Sequence, residues 1–452
     1  MTLLRISLAA LLLVACDGAP APDAGTPEVD ASGGDAGAAS THLARRHLPE
    51  RSRIAAGEAA LYSFDGTPVP WVALENLWLV WGEPGLDEAA YWARFSERYG
   101  FVARDGEPPY GIERDGANGQ IQCLACHTDR VAGQVVIGSG NGRLDLEALY
   151  DDLLALAELA PMFGVVVPPP PPIWDEAFAG RTGAPGATDA FGMAITLAAA
   201  TVPSEGIERR YGFQQPPAWW QLAYKDRSYT DGAATGHNIR TMLAGTLPSG
   251  ASLEEIEAME PVVADLRQFL LSLEAPRWPF PAPDAAAVAR GRTVYGERCA
   301  SCHGADGGGP EAFPDRVVDV GTDPVRHQAL GADEATWINL GWFGEPPFED
   351  TSGYLAPPLV GVWATAPYLH NGSVPDLRAL LVVAERPTRW RRVRGEDDYD
   401  GARVGVRFDE VGADDPLVYD TEVMGLSAAG HDFAGGLPNE DIDALLAFLT
   451  TL

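Results

Sequence analysis

Positive charge is what this chain has least of: 32 Lys and Arg stand against 64 Asp and Glu in 452 residues, a formal net charge of −32. Nothing on such a surface would neutralise phosphates, so nucleic acid is excluded as a partner. Solubility and a basic redox partner both suit it. Cysteine is scarce as well. The five cysteines are all accounted for by the motifs below, and none is left for a structural disulfide. Long apolar runs are missing too. The longest candidate, Phe191 to Val202, is interrupted by Gly192 and Thr196 and closed by Pro203. It falls well short of the ~20 residues that span a bilayer and reads as core.

Apolar residues make up 46% of the chain, ordinary for a globular protein, so the body is expected to fold. Residues 1–16 read as an export signal, with Arg5 as the positive start and Ile6 to Val14 as a short apolar core. The ending Leu13-Val14-Ala15-Cys16 resembles a bacterial lipobox, which would make Cys16 a lipid anchor and place the protein on a membrane, facing the periplasm or cell exterior. Asp17 to Ser40 contains no aromatic or large aliphatic residue beyond Val29. Such a segment cannot offset its ordering entropy, so 17–48 is expected to be a disordered tether.

Proline punctuates the rest. Pro168 to Pro172 should form a stiff polyproline segment, and the proline-rich stretch Pro276 to Pro283 sets the domain boundary, giving domains at 49–280 and 281–452. The two halves look related. Leu266, Phe269, Leu270 and Leu273 follow an i, i+3, i+4, i+7 pattern, and so do Leu445, Phe448, Leu449 and Leu452. Pro216-Pro217 with Asp231-Gly232 is matched by Pro357-Pro358 with Asn371-Gly372. Ala285 to Tyr295 reads as a further helix.

Each half carries one motif of chemistry. Cys123-Leu124-Ala125-Cys126-His127 and Cys299-Ala300-Ser301-Cys302-His303 both have the spacing that attaches a c-type haem; about 0.001 such motifs would arise by chance in this composition. Two thiols on one helical turn form thioethers to the porphyrin, and the next imidazole reaches the iron from beneath. A zinc site would pair its knuckles over a few tens of residues at most, and a dithiol reading leaves both histidines unexplained. The expected fold is therefore mainly α: two cytochrome c-like haem domains with long loops, in tandem, carrying two covalent haem c groups.

What stands opposite each proximal histidine decides the chemistry. For the second haem the candidates are His431, then His370, then Met424. For the first no histidine stands out, although His237 could close it; Trp219, Trp220 and Tyr224 are the candidates for its distal side. An open first haem would bind peroxide or oxygen as an enzyme does. If both irons are six-coordinate, the chain is a non-catalytic electron carrier. The acids Glu396 to Asp400, Asp409, Glu410, Asp414 and Asp415 are candidate calcium ligands, although their spacing matches no calcium loop and also suits solvated surface.

The stretch Ala356-Pro357-Pro358-Leu359-Val360-Gly361-Val362-Trp363-Ala364-Thr365-Ala366-Pro367-Tyr368-Leu369-His370-Asn371-Gly372-Ser373 resembles the signature of bacterial di-haem cytochrome c peroxidases and their relatives, closest to the rubber-oxygenase-like branch. Gly430-His431-Asp432-Phe433 and Pro217-Ala218-Trp219-Trp220 also look like segments of that branch. The resemblance implies His127 as proximal ligand at an oxidant-handling haem, and His303 with His431 at a relay haem. It also implies a small oxidant; the expected partner is that oxidant or a redox protein such as a small cytochrome or a cupredoxin. Two features depart from the pattern. The chain is short for a polymer-cleaving oxygenase, and Ala384 stands where the peroxidases usually carry a methionine ligand.

Overall fold

Asp284 starts the helix that leads into the second Cys-His motif. Its carboxylate accepts from the Ala287 amide, capping Ala285–Arg298. In the computed structural model this helix crosses Asn439–Leu449, the last helix of the chain, and the crossing is close because Gly291 lies at it. A Cβ there would come within 2.0 Å of the Ala444 carbonyl oxygen and 2.8 Å of Phe448 Cβ. The first half repeats the arrangement. Gly57, in Ile54–Ser63, meets Glu260–Ser272, where a Cβ would sit 2.1 Å from the Asp265 carbonyl oxygen and 2.9 Å from Phe269 Cβ. Here α1 denotes Ile54–Ser63, α2 Glu88–Tyr99, α3 Leu146–Leu159, α4 Glu260–Ser272, α5 Ala285–Arg298 and α6 Asn439–Leu449. The α1/α4 and α5/α6 pairs are thus built on one plan.

The described residues are 43–63, 66–170, 182–188, 212–237, 239–240, 253–329, 346–395 and 398–452. The export segment, Cys16, the tether up to residue 42, Pro171 and Pro172, Phe191 to Val202 and Glu396 lie outside them. From residue 40 onward the chain is one unit.

A second repeated feature is a turn. Ser228 bridges to Ala234 as Tyr368 bridges to Val374, and Tyr229 and Leu369 share a φ of +65°. Gly232 and Gly372 follow at +68° and +76°, a left-handed conformation that glycine adopts without strain. By position in this turn, Thr230 corresponds to His370.

Strand content exceeds what the sequence leads one to expect: helix takes 37% of the chain and strand 15%, so "mainly α" is too strong. The strands are short. β1 (Thr67–Pro70), β2 (Ile112–Asp115) and β3 (Asn118–Ile121) form an antiparallel sheet in the order β1-β3-β2. It packs with α2 and α3 around Trp71, Leu74, Trp92, Phe95 and Tyr99. In the second half β4 (Arg389–Arg392) runs between β5 (Phe408–Glu410) and β6 (Tyr419–Asp420). Cross-strand ion pairs, Arg391 with Asp409 at 3.1 Å and Arg389 with Asp420 at 2.8 Å, help to hold it.

No core boundary coincides with Pro276–Pro283. The largest buried cluster draws Val131, Phe213 and Trp220 from before it and Trp363, Tyr399 and Phe448 from after it. Charge crosses too. Asp129 and Asp398, both fully buried, are shared by Arg143 and Arg392: Arg143 lies 3.0 Å from Asp129 and also bonds Asp398, while Arg392 lies 3.0 Å and 3.1 Å from the two. Asp409 and Asp415 pair with Arg391. Of the candidate calcium ligands that the structure describes, Asp398, Asp409 and Asp415 are thus taken by arginines, and among the described residues no group of three acids, histidines or cysteines is arranged to hold a metal ion.

Candidate haem sites

The first motif forms one helical turn, Cys123–Cys126, with the His127 amide donating to the Cys123 carbonyl at 3.0 Å. Burial pushes the two thiols up to about 11 and about 12, and the His127 imidazole down to about 3. The thiols are therefore protonated and the imidazole neutral, which is its metal-binding form. Among the described residues Nδ1 of His127 has no hydrogen-bond partner. The ring lies instead on Trp219, with centroids 4.2 Å apart and planes at 19°. Gly138 ties the two together, its amide donating to the His127 carbonyl and its carbonyl accepting from the Trp219 amide, both at 2.8 Å.

Trp219, Trp220 and Tyr224, expected on the distal side of this haem, do not converge there. Ligand nitrogens bind at about 2 Å, so rings on opposite sides of one metal sit about 6 Å apart. At 4.2 Å, Trp219 is beside its own histidine, on the proximal side. Trp220 turns toward the second half, its Nε1 donating to the Val360 carbonyl at 2.9 Å. Tyr224 packs under Arg45, whose guanidinium carbon is 6.0 Å from the ring centre. Their order in the sequence put three aromatics near one motif; the short 3-10 turn Trp219–Tyr224 fans them in different directions. His237 is also ruled out as a ligand there. Its Nε2 bonds the Lys225 carbonyl and its Nδ1 accepts from Arg267 at 3.0 Å, so neither ring nitrogen is free.

The second motif is set by α5. Cys299 caps its end, and the amides of Cys302 and His303 donate back to the Cys299 carbonyl at 3.1 and 3.0 Å. His303 Nδ1 donates to the Pro357 carbonyl at 2.8 Å, which fixes the tautomer and leaves Nε2 free for a metal. Both cysteines, His303 and His431 line one cavity of ≈ 290 Å³. His431 stands across from His303, with ring centroids 6.2 Å apart and planes at 62°. Its backbone holds it there. The His431 amide donates to the Val320 carbonyl at 2.9 Å, and Gly430 lies against the Gly321 backbone. Burial and the neighbouring His303 hold His431 down to about 4, so it too is neutral.

The two other candidates for this position are placed differently. His370 is on the cavity wall but stacks on Tyr354, centroids 3.8 Å apart and planes at 13°, and its carbonyl accepts from the Gln215 amide at 2.7 Å. Met424 is 73% exposed and does not reach the cavity. Paired thiols, a free proximal nitrogen and a facing imidazole at metal-bridging distance fit a covalently held, bis-imidazole haem.

A profile described as "Cytochrome c" matches residues 288–340, and one described as "RoxA-like, cytochrome c-like" matches residues 353–391. These two matches, which together cover about a fifth of the chain, support a place for it in the RoxA-like branch of the di-haem cytochrome c peroxidase-like superfamily. Its cytochrome c-like part carries covalently bound haem c with iron.

Two uncharacterized proteins of Sinorhizobium fredii are similar to this chain. One, y4iJ, is 30% identical over 40% of this chain and 41% of its own. The other, y4iM, is 29% identical over 48% of this chain and 56% of its own. The chain thus spans about half the length of these curated relatives. A crystal structure of a MauG-like protein associated with microbial copper homeostasis shares 20% identity, covering 54% of this chain and 78% of that one, with a TM-score of 0.30.

Sequence reasoning missed two residues of the second site. The role of Pro357 follows from a carbonyl position, which no side-chain pattern reveals. Lys225 stands in the first half of the chain, among residues assigned to the first haem, yet the structure puts it in the wall of the second cavity.

Proposed function

We propose that this chain is an exported di-haem c oxidoreductase, tethered to a membrane through Cys16, in which the haem on Cys123 and Cys126 is open to peroxide or oxygen and the haem on Cys299 and Cys302 is closed by two imidazoles. The observation that carries this reading is the His303–His431 pair, 6.2 Å apart across the cavity. No described histidine faces His127 in the same way. When bound, haem c supplies reversible one-electron chemistry, and an open iron adds a site for a small oxidant.

The protein's own groups support a division of labour. Pro357 orients His303, and Val320 with Gly321 fixes the backbone that aims His431. A line of close contacts joins the two proximal histidines. His127 stacks on Trp219, Trp220 bonds the Val360 carbonyl, and three residues back along the chain the Pro357 carbonyl meets His303. Tryptophan faces in van der Waals contact, continued by short hydrogen bonds, suit electron exchange between the halves and with a small cytochrome or cupredoxin outside. Among the described residues no helix is long and apolar enough to cross a membrane, so attachment in this reading rests on the acylated cysteine.

The test is carbon monoxide titration of the reduced holoprotein from a host that matures c-type cytochromes. One molecule bound per chain, with a low-spin remainder and a denatured mass heavier by two porphyrins, is expected. Two unreactive low-spin haems would instead make the chain an electron carrier without an oxidant site.

A further inference from the structure

The chain contains a single lysine, Lys225, against 31 arginines. That lysine is 2% exposed and lines the cavity that holds Cys299, Cys302, His303 and His431. Its backbone is clamped. The Lys225 carbonyl is bonded by His237 Nε2, and the next amide, of Asp226, donates to Asp315 at 2.8 Å. Asp226 in turn accepts from Arg46 and His47 at 2.5 and 2.6 Å. The side chain therefore enters the cavity from a fixed root, while among the described residues its ammonium has no ion-pair partner within 4.0 Å. Asp315 is near enough to favour the charge, but burial outweighs it and draws Lys225 down to about 8. A buried cation left unpaired is costly.

Among the described residues the cavity wall supplies no anion of its own. Although acids outnumber bases two to one in the chain, no Asp or Glu among the described residues lines this space, and the described cations that do are Lys225 and Arg298. Asp315 and His237 act electrostatically on the lysine, and Tyr229, Tyr354, Tyr368 and His370 are further titratable groups in the cavity wall. Haem brings two carboxylates, its propionates.

We propose that Lys225 is the counter-charge of a propionate of the haem held at Cys299 and Cys302, so that a residue from the first half of the chain sets the charge around the relay haem of the second. This rests on a haem occupying that cavity, as argued above. Lys225 is a positioning and charge-setting residue and takes no ligand place at the iron. A compact ammonium can meet one carboxylate oxygen in a tight space, and the positive charge favours the reduced, electron-richer state.

Spectroelectrochemical titration of the low-spin haem in the holoprotein tests this. K225M and K225Q should shift the reduction equilibrium toward the oxidised form at least tenfold, about 59 mV for one electron. K225R should restore most of the difference. Neutral variants within about threefold of the parent, or K225R shifted as far as they are, would overturn the proposal. If the variants do not mature, the parent protein still decides. Its potential should fall as alkali removes the ammonium proton, and a potential flat to about pH 11, past the ordinary lysine range, overturns the assignment. Failure of the underlying reading looks different: the peptide carrying Cys299 and Cys302 would lack its porphyrin.

Discussion

Nδ1 of His303 donates to the Pro357 carbonyl, whereas Nδ1 of His127 meets no described partner and its ring lies flat on Trp219. The two motifs are spelled alike and the helix pairs around them are built alike, so the contrast belongs to what surrounds each imidazole. A carbonyl-anchored histidine keeps one tautomer and is a stronger donor to its metal. A ring held only by stacking is freer to tilt and is a weaker donor. Across from His303 stands His431; no described ring stands across from His127. In the function proposed above, this contrast makes the second site the closed one and the first the open one.

Replacing His431 tests that contrast most severely. H431A should open the second haem, raising carbon monoxide uptake by the reduced protein from one to two per chain. Unchanged stoichiometry would remove His431 from the iron and move attention to His370.

The charges that join the halves come next. D398N withdraws a fully buried carboxylate from Arg143 and Arg392 and should lower stability by about 3–5 kcal/mol, read from denaturant unfolding of the holoprotein. A loss below about 1 kcal/mol, the range of surface pairs, would show that the halves do not depend on this cluster.

The smallest effect sharpens the likeness of the halves. G57A and G291A each drive a methyl into a facing carbonyl and should each cost about 1–3 kcal/mol, as overpacking does. Equal losses support one plan used twice. A large inequality in unfolding midpoints would mean that the crossings differ in more than sequence.

Much of this was legible beforehand wherever spacing carried the information. The Cys-x-x-Cys-His runs named the attachment points, and the i, i+3, i+4, i+7 patterns marked α4 and α6. What spacing cannot show is direction. Trp219 and Trp220 are neighbours in sequence, yet one lies on His127 and the other points at Val360. His237 looked available until Arg267, 30 residues away, took its second nitrogen. Helix α1, Ile-Ala-Ala-Gly-Glu-Ala-Ala-Leu-Tyr-Ser, shows no clear apolar stripe, because its packing relies on the closeness that Gly57 allows. Strand β4 reads Arg-Trp-Arg-Arg, and its arginines pair with acids of the neighbouring strands β5 and β6, so no alternation of apolar residues announced it.

The solitary lysine has a practical consequence. A protease that cuts only after lysine has one bond to attack in the whole polypeptide, between Lys225 and Asp226, on the seam where the two halves share a wall. Such an enzyme acts on the opened form, so the pace of that one cleavage is a clock for how often the seam parts.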